Sequence, residues 1–177
     1  MSALANFLAF QIGWFACVLG GANDLPWLGT TVSAGVIVWH LTRAAAPRRE
    51  LTLVLLSGLI GLVLDSALVS LGLIRYASGT LIEGMVPHWI VAMWMIFATT
   101  LNVTFRWLKQ RWRLAAVSGA LAGPLAYFGG ARLGAAEFIG NTTMTLSAVA
   151  LVWAIGMPLL LWLSDRYDGF ANMAADD

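Results

Sequence analysis

Residues 58–74 read GLIGLVLDSALVSLGLI, an apolar run with one carboxylate, Asp65, set inside it. A run of this length is typical of a helix that crosses a lipid bilayer. An Asp at the centre of such a helix costs about 2.5–3.5 kcal/mol on insertion scales, so its side chain should be hydrogen-bonded, paired or protonated. The run therefore predicts a membrane helix in which Asp65 faces protein and not lipid.

The rest of the chain has the same apolar character. Of its 177 residues, 60% are hydrophobic and 11% are charged, whereas about a quarter are charged in a typical soluble domain. Six stretches have the roughly 20 apolar residues that a membrane helix needs, at about 3–21, 27–44, 51–74, 86–107, 114–134 and 144–164. The sequence predicts an all-α polytopic membrane protein, a single domain (1–177) formed by a compact bundle of six transmembrane helices.

The basic residues predict the orientation of these spans, because Lys and Arg near span ends are retained in the cytoplasm. Eight of the ten fall on one side of a six-span arrangement: Arg43, Arg48, Arg49, Arg106, Lys109, Arg111, Arg113 and Arg166. The first stretch has no basic residue before it, unlike a signal peptide, so it is taken as span 1. We therefore expect a multi-pass protein of the bacterial inner membrane with both termini in the cytoplasm.

Small residues recur at helical spacing on two spans. Gly58 and Gly61 share a stripe with Asp65, and Gly119 and Gly123 form a GxxxG pair. Such stripes let neighbouring backbones approach closely. These four glycines are predicted to be helix-packing positions.

Four polar side chains are expected at similar depth in the outer half of the bilayer: Asp65, His88, Tyr127 and Arg132. Arg132 is the predicted charge partner of Asp65, with His88 and Tyr127 next. Two interpretations are open. Either Asp65 and Arg132 form a buried ion pair that fixes helix register, or the four residues line an outward-facing pocket, since ionisable groups inside a membrane are functional candidates.

Three indoles, Trp14, Trp94 and Trp153, are predicted to lie deep in the bundle, where they either fill its core or face a cavity. Trp94 is therefore added to the candidate ligand-binding residues. Span 4 also carries one line of residues expected to face a cavity or a polar seam: His88, Ala92, Met95, Thr99, Asn102 and Arg106. A second polar set nearer the cytoplasm is predicted to make interhelical hydrogen bonds: Asn6, Gln11, His40 and Asn102.

Signatures of known enzyme classes are missing from the sequence. The two His residues, His40 and His88, fall on opposite sides of the membrane, and the single Cys17 offers no thiolate cluster, so no metal site is predicted. No G-x-S-x-G elbow, P-loop or H-E-x-x-H motif is present. The sequence therefore predicts no cofactor, no nucleic-acid partner and no catalytic residue, and a non-enzymatic role is favoured.

Four segments, FQIGWFACVLGGANDLPWLG, GLVLDSALVSLGLIRYASG, PHWIVAMWMIFATTLN and GPLAYFGGARLGA, resemble bacterial inner-membrane proteins of domain-of-unknown-function family 2878. This resemblance covers nearly the whole chain, and it implies an association with membrane lipid modification. More distantly, the glycine-rich third span and the six-span plan are similar to the substrate-binding subunits of energy-coupling-factor transporters and to the cell-shape protein MreD. Those subunits bind vitamins in an outward-facing pocket.

Three functions follow as hypotheses. The first is a protein that binds, and helps to move, a small amphipathic or lipid-like molecule in a pocket between spans 3, 4 and 5. The second is an integral membrane enzyme of lipid or fatty-acyl modification that uses Asp65 or His88 as acid or base. The third is an accessory subunit whose small-residue faces dock a membrane-protein partner or a second copy of the chain.

Overall fold

The structure is a computed structural model, and it describes residues 1–171. In chain order its helices are α1 (Ala3–Ala22), α2 (Pro26–Leu41), α3 (Pro47–Ser70), α4 (His88–Leu101), α5 (Trp112–Arg132) and α6 (Thr142–Arg166). Two short strands, β1 (Ile74–Tyr76) and β2 (Ala136–Phe138), and one 3-10 helix, Arg106–Leu108, lie between them. The predicted all-helical architecture is confirmed, with one small strand pair added.

Four of the helices, α1, α3, α5 and α6, are long and apolar enough to cross a membrane. The shortest of them, α1, has 20 residues, and at 1.5 Å per residue it is about 30 Å long, which matches the hydrocarbon core of a bilayer. The chain is therefore a membrane protein. Helices α2 and α4 have 16 and 14 residues, so helix length identifies four spans rather than the six that the sequence predicts.

Helix α4 is the central helix of the bundle, because most of its residues are buried and it packs against α1, α2 and α3. The predicted span 86–107 is too long, since the helix ends at Leu101. The hydroxyls of Thr99 and Thr100 donate to the carbonyls three residues earlier. Hydrogen bonds of this kind compete with the helical ladder, which gives a physical reason for the early end.

One end of the bundle collects the N-terminus, the α2–α3 and α4–α5 connections and the segment after α6. The Thr104 hydroxyl donates to the Ala3 carbonyl, and the Ala46 amide donates to the Gly169 carbonyl. We call this the basic end, because the eight Lys and Arg residues that share one predicted side of the membrane lie in these segments or in the adjoining helix ends.

At the opposite end, here called the strand end, α3 and α5 terminate in the same way. Gly72 and Gly134 adopt φ values of +67° and +88°, a left-handed conformation that glycine tolerates and that commonly ends a helix. A strand follows each glycine, and the two strands pair antiparallel with Arg75 opposite Glu137. The strand pair therefore ties the ends of α3 and α5 together.

Two stacked indoles occupy the middle of the bundle, each packed against a glycine. The rings of Trp94 in α4 and Trp153 in α6 lie with centroids 4.6 Å apart at an angle of 18°. A Cβ added to Gly61 of α3 would collide with Trp94, and a Cβ added to Gly123 of α5 would lie 2.5 Å from Trp153 Cγ. The missing side chains at these two glycines therefore let four helices meet in one layer.

The other two predicted packing glycines also lie at helix contacts. A Cβ on Gly58 would lie 2.7 Å from Met95 Cγ, and a Cβ on Gly119 would collide with the Trp153 carbonyl. The contact at Gly58 is with a flexible side chain, whereas the contact at Gly119 is with backbone.

Candidate ligand-binding cavity

A cavity of about 480 Å³ lies beside α4, between α1 and α5. Its wall is mostly apolar, and typical lining residues are Phe10, Trp14, Met93, Phe97 and Met157. Most of the wall comes from α1, α4, α5 and α6, while α3 contributes Asp65 alone. The cavity wall therefore includes residues of spans 3, 4 and 5, between which the pocket is predicted, but α1 and α6 contribute to it as well.

Asp65 is fully buried and forms part of the cavity wall. Trp94 Nε1 donates to its Oδ2 at 2.8 Å, and the Tyr127 hydroxyl donates to its Oδ1 at 2.5 Å. Both carboxylate oxygens therefore accept a hydrogen bond from a neutral donor, as an ionised carboxylate can. Three of the five candidate ligand-binding residues, Asp65, Trp94 and Tyr127, thus form one cluster.

Arg132, the predicted charge partner of Asp65, lies elsewhere. Its side chain is exposed at the end of α5, with the guanidinium carbon 5.9 Å from the centroid of the Phe128 ring. No salt bridge within residues 1–171 involves Asp65. The structure therefore does not contain the predicted Asp65–Arg132 ion pair, because a long cationic side chain at a helix end reaches toward the polar interface.

His88, the remaining candidate, lies at the start of α4 and does not line the cavity. Its Nδ1 lies 2.7 Å from Thr30 Oγ1, and its ring stacks on Trp27 with centroids 4.1 Å apart. These contacts attach the start of α4 to α2. The predicted four-residue pocket is thus reduced to Asp65 and Tyr127.

The three indoles that the sequence predicts to be deep, Trp14, Trp94 and Trp153, all line the cavity. The Trp153 ring also meets the Phe97 ring edge-on, with centroids 5.3 Å apart. Trp94 is only 2% exposed and belongs to the main hydrophobic core. The two interpretations left open by the sequence therefore both apply, since Trp94 fills the core and borders a cavity.

The predicted polar line along α4 forms a polar seam and not the cavity face. The cavity is lined by a different set of α4 residues, which includes Trp89, Met93 and Phe97. In the predicted line, the Thr99 carbonyl accepts a hydrogen bond from Asn6 Nδ2 at 3.1 Å. Large aromatic side chains, rather than polar ones, therefore mark the side of α4 that faces the cavity.

Two polar atoms near Asp65 have no hydrogen-bond partner within the described part of the chain. They are the Tyr76 hydroxyl and Trp153 Nε1, which are buried and belong to residues of the cavity wall. A buried polar atom without a partner costs about 1–3 kcal/mol, and native structures keep few of them. We call Asp65, Tyr76, Trp94, Tyr127 and Trp153 the Asp65 cluster.

A second buried polar cluster lies at the basic end, and the sequence did not reveal it as a unit. Glu50 is fully buried, and its carboxylate lies 2.8 Å from His40 Nε2. It also accepts hydrogen bonds from Asn102 Nδ2 at 2.6 Å and from the Gly169 amide at 2.7 Å. The sequence predicted interhelical hydrogen bonds for His40 and Asn102 but missed Glu50, which follows two arginines and resembles a solvated helix start.

The other two members of the predicted cytoplasmic set divide between seam and cavity. Asn6 joins α1 to α4 through the Thr99 carbonyl, and its Oδ1 accepts a hydrogen bond from the Thr104 hydroxyl at 2.6 Å. Gln11 instead lines the cavity. Its amide is thus a polar group of the cavity wall on α1.

The segment after α6 adds a further set of polar contacts at the basic end, centred on Asp168. The Asp168 carboxylate accepts hydrogen bonds from Arg106 Nη2, Lys109 Nζ and the Phe170 amide, each at 2.8 Å. Burial alone would raise the pKa of Asp168, but the hydrogen bonds from Lys109, Phe170 and Arg106 lower this pKa below its ordinary value. These bonds attach the C-terminal segment to the α4–α5 connection.

Comparison with known protein families gives a match. A family model described as "Protein of unknown function (DUF2878)" matches residues 3–159, which supports the first of the resemblances seen in the sequence. No curated protein and no solved structure matches the chain. The likeness to energy-coupling-factor subunits and to MreD finds no support in these comparisons.

Proposed function

This chain belongs to the DUF2878 family, and we propose that it binds a small amphipathic or lipid-like molecule in the cavity between α1, α4, α5 and α6. The observation that carries the proposal is the cavity of about 480 Å³ with the Asp65 cluster in its otherwise apolar wall. Pockets for drug-sized molecules measure about 300–1,000 Å³ and are mostly apolar, with a few polar groups that orient the ligand. An amphipathic molecule has an apolar part that fits the apolar wall and a polar part that fits the Asp65 cluster.

The position of the cavity supports entry from the lipid. Leu125 and Ala126 of α5 line the cavity and are also exposed on the protein surface, Leu125 with 71% of its area. In a membrane helix, exposed apolar side chains face the hydrocarbon. An acyl or alkyl chain can therefore pass between bilayer and cavity at α5, while a polar group is held at the Asp65 cluster.

The proposal includes an orientation, with six spans and both termini in the cytoplasm of the bacterial inner membrane. It is supported by the grouping of eight basic residues at the basic end. Reporter fusions after Pro47, Gln110 and Phe170 should report cytoplasm, and fusions after Asp24, Thr80 and Gly140 should report periplasm. A cytoplasmic signal at Thr80 would contradict the orientation.

The binding proposal is tested by filling the cavity. Gly130 is buried, lines the cavity, and has no atom within 4 Å of the place where a Cβ would be. Gly130→Leu should therefore occupy the cavity without a backbone clash. Gly35→Leu is the matched control, because Gly35 also has no neighbour within 4 Å but lies exposed on α2, away from the cavity.

Native mass spectrometry of the three proteins in mild neutral detergent measures the outcome. The wild type and Gly35→Leu should retain a bound amphiphile at about one per chain, and Gly130→Leu should lose it. Equal retention by Gly130→Leu would contradict binding in this cavity. If the wild type retains no amphiphile and instead releases a chemically modified lipid, the enzymatic alternative is favoured.

A further inference from the structure

We propose that the Asp65 cluster binds a cationic head group, so that the ligand is an amphiphile carrying an amine or a quaternary ammonium. This inference rests on the proposed function and adds the chemical class of the ligand. It follows from an unbalanced negative charge, from the aromatic surroundings of that charge, and from the lack of cationic side chains in the cavity wall.

In its ionised form, Asp65 has no cationic side chain to balance its charge within the part of the chain that the structure describes. Its two hydrogen-bond donors, the Trp94 indole and the Tyr127 hydroxyl, are neutral. Within residues 1–171 no Lys, Arg or His lies within 4.0 Å of its carboxylate. A buried charge is costly unless it is paired. A ligand cation would supply the missing partner.

Aromatic side chains make up much of the cavity wall that contains Asp65. Trp94 and Trp153 are stacked, Phe97 meets Trp153 edge-on, and Tyr76 and Tyr127 complete the wall. Ring faces attract cations, most strongly in sites without water, and aromatic cages recognise quaternary ammonium groups in this way.

Other head groups fit this wall less well. Among the described residues that line the cavity there is no Lys, Arg or His, so a phosphate, sulfate or carboxylate would meet Asp65 without a cation to offset it. A hydroxyl group could accept a hydrogen bond from Trp153 Nε1 or Tyr76, but it would leave the charge of Asp65 unbalanced. A cation removes that imbalance.

Three probes with the same chain separate these possibilities: hexadecyltrimethylammonium, hexadecanol and hexadecanoate. Each probe is titrated against the wild type and against Gly130→Leu in nanodiscs of neutral lipid. Binding to the cavity is the difference between the amounts bound by the wild type and by Gly130→Leu. The ammonium probe should bind about tenfold or more tightly than hexadecanol, given the strength of desolvated cation–π contacts. Hexadecanoate should bind most weakly.

The role of Asp65 is tested by Asp65→Asn, with Glu137→Gln as a control that removes an exposed carboxylate outside the cavity. Asp65→Asn should lose the preference for the ammonium probe and keep its affinity for hexadecanol. The unchanged affinity for hexadecanol also shows that the cavity is intact. If the wild type binds hexadecanol or hexadecanoate as tightly as the ammonium probe, the head-group inference is wrong and the proposed function stands. If Gly130→Leu binds all three probes as well as the wild type does, the proposed function itself fails.

Discussion

At the scale of single residues, the hydrogen bonds to Asp65 define what each neighbour contributes to stability. Tyr127→Phe removes the hydroxyl that donates to Oδ1, so a buried carboxylate oxygen loses its donor. A hydrogen bond to a charged group contributes about 1.5–3 kcal/mol. We expect Tyr127→Phe to lower the free energy of unfolding in detergent by about that amount, measured by chemical or thermal denaturation.

Arg132 provides the control for this prediction. Its side chain is exposed and has no ion pair with Asp65, so Arg132→Gln should change stability little. The effects of Asp65→Asn and Arg132→Gln should add in the double variant. If the double variant is clearly more stable than the sum of the two single effects predicts, the two charges interact after all.

The residue scale also shows how far the sequence could identify the partners of Asp65. Because a charge in a bilayer is costly, Asp65 is expected to face a partner within the protein, and helical spacing places it on the same side of its helix as two glycines. The sequence pattern ranked partners by charge and depth, which favoured Arg132. It could not show that an indole from mid-α4 and a phenol from α5 reach the carboxylate, because that depends on how α3, α4 and α5 rotate against one another.

At the scale of elements, the layer formed by two glycines and two indoles makes a prediction about packing. Gly61→Ala places a Cβ against the rigid Trp94 ring, whereas Gly58→Ala on the same helix meets the flexible side chain of Met95. Overpacking costs about 1–3 kcal/mol where a site cannot relax. We expect Gly61→Ala to lower the unfolding temperature in detergent clearly more than Gly58→Ala.

The two variants are matched because both replace a buried glycine in the middle of α3 by alanine and gain the same helix propensity. The difference between them therefore reports the neighbour alone. Equal unfolding temperatures would mean that Trp94 moves away from α3 readily and that the indole stack is not a fixed layer.

Element boundaries were less predictable than element number. Hydropathy indicates six apolar segments, and six α-helices are present in residues 1–171. It does not register the end of α4 at Leu101, since that end depends on the hydroxyls of Thr99 and Thr100. It also misses β1 and β2, because strands of three residues carry too little pattern to be recognised, and their pairing joins segments about 60 residues apart in sequence.

At the scale of the whole molecule, the C-terminal segment holds the basic end together through Asp168. A carboxyl group whose pKa is lowered by folding stabilises the protein above the pKa of the unfolded chain, and this contribution is lost as the pH falls through the folded pKa. For Asp168, with an ordinary value of 3.8, the loss falls below about pH 4. The stability difference between wild type and Asp168→Asn should therefore be constant near neutral pH and shrink in acid.

Thermal unfolding in detergent from pH 3 to pH 7 measures this difference. Asp165→Asn is the control, because Asp165 contacts Lys109 alone, at 3.4 Å, among the salt bridges of the described residues. It should destabilise the protein less than Asp168→Asn at neutral pH. A difference between wild type and Asp168→Asn that stays the same down to pH 3 would contradict the role of this carboxylate.

The molecule as a whole keeps polar groups in two buried clusters, one in the cavity wall and one at the basic end. Composition already indicated a membrane protein, because 11% of the residues are charged, whereas about a quarter are charged in a typical soluble domain. The shape of the cavity could not be predicted from the sequence, since it depends on how α1, α4, α5 and α6 are placed against one another. The expected pocket around Asp65 and Tyr127 and the three deep indoles indicated it, although a filled core was the favoured interpretation of the indoles.

The central claim, that an amphiphile occupies the cavity between α1 and α5, is tested most directly by photocrosslinking. The probe is a hexadecylammonium with a diazirine on its alkyl chain, and labelled residues are mapped by mass spectrometry of peptides. We expect labels on cavity residues such as Phe10, Gln11 and Ala126, and their loss in Gly130→Leu. Labels spread equally over exposed residues outside the cavity, such as Leu151 and Ile155 of α6, with no change in Gly130→Leu, would contradict the claim.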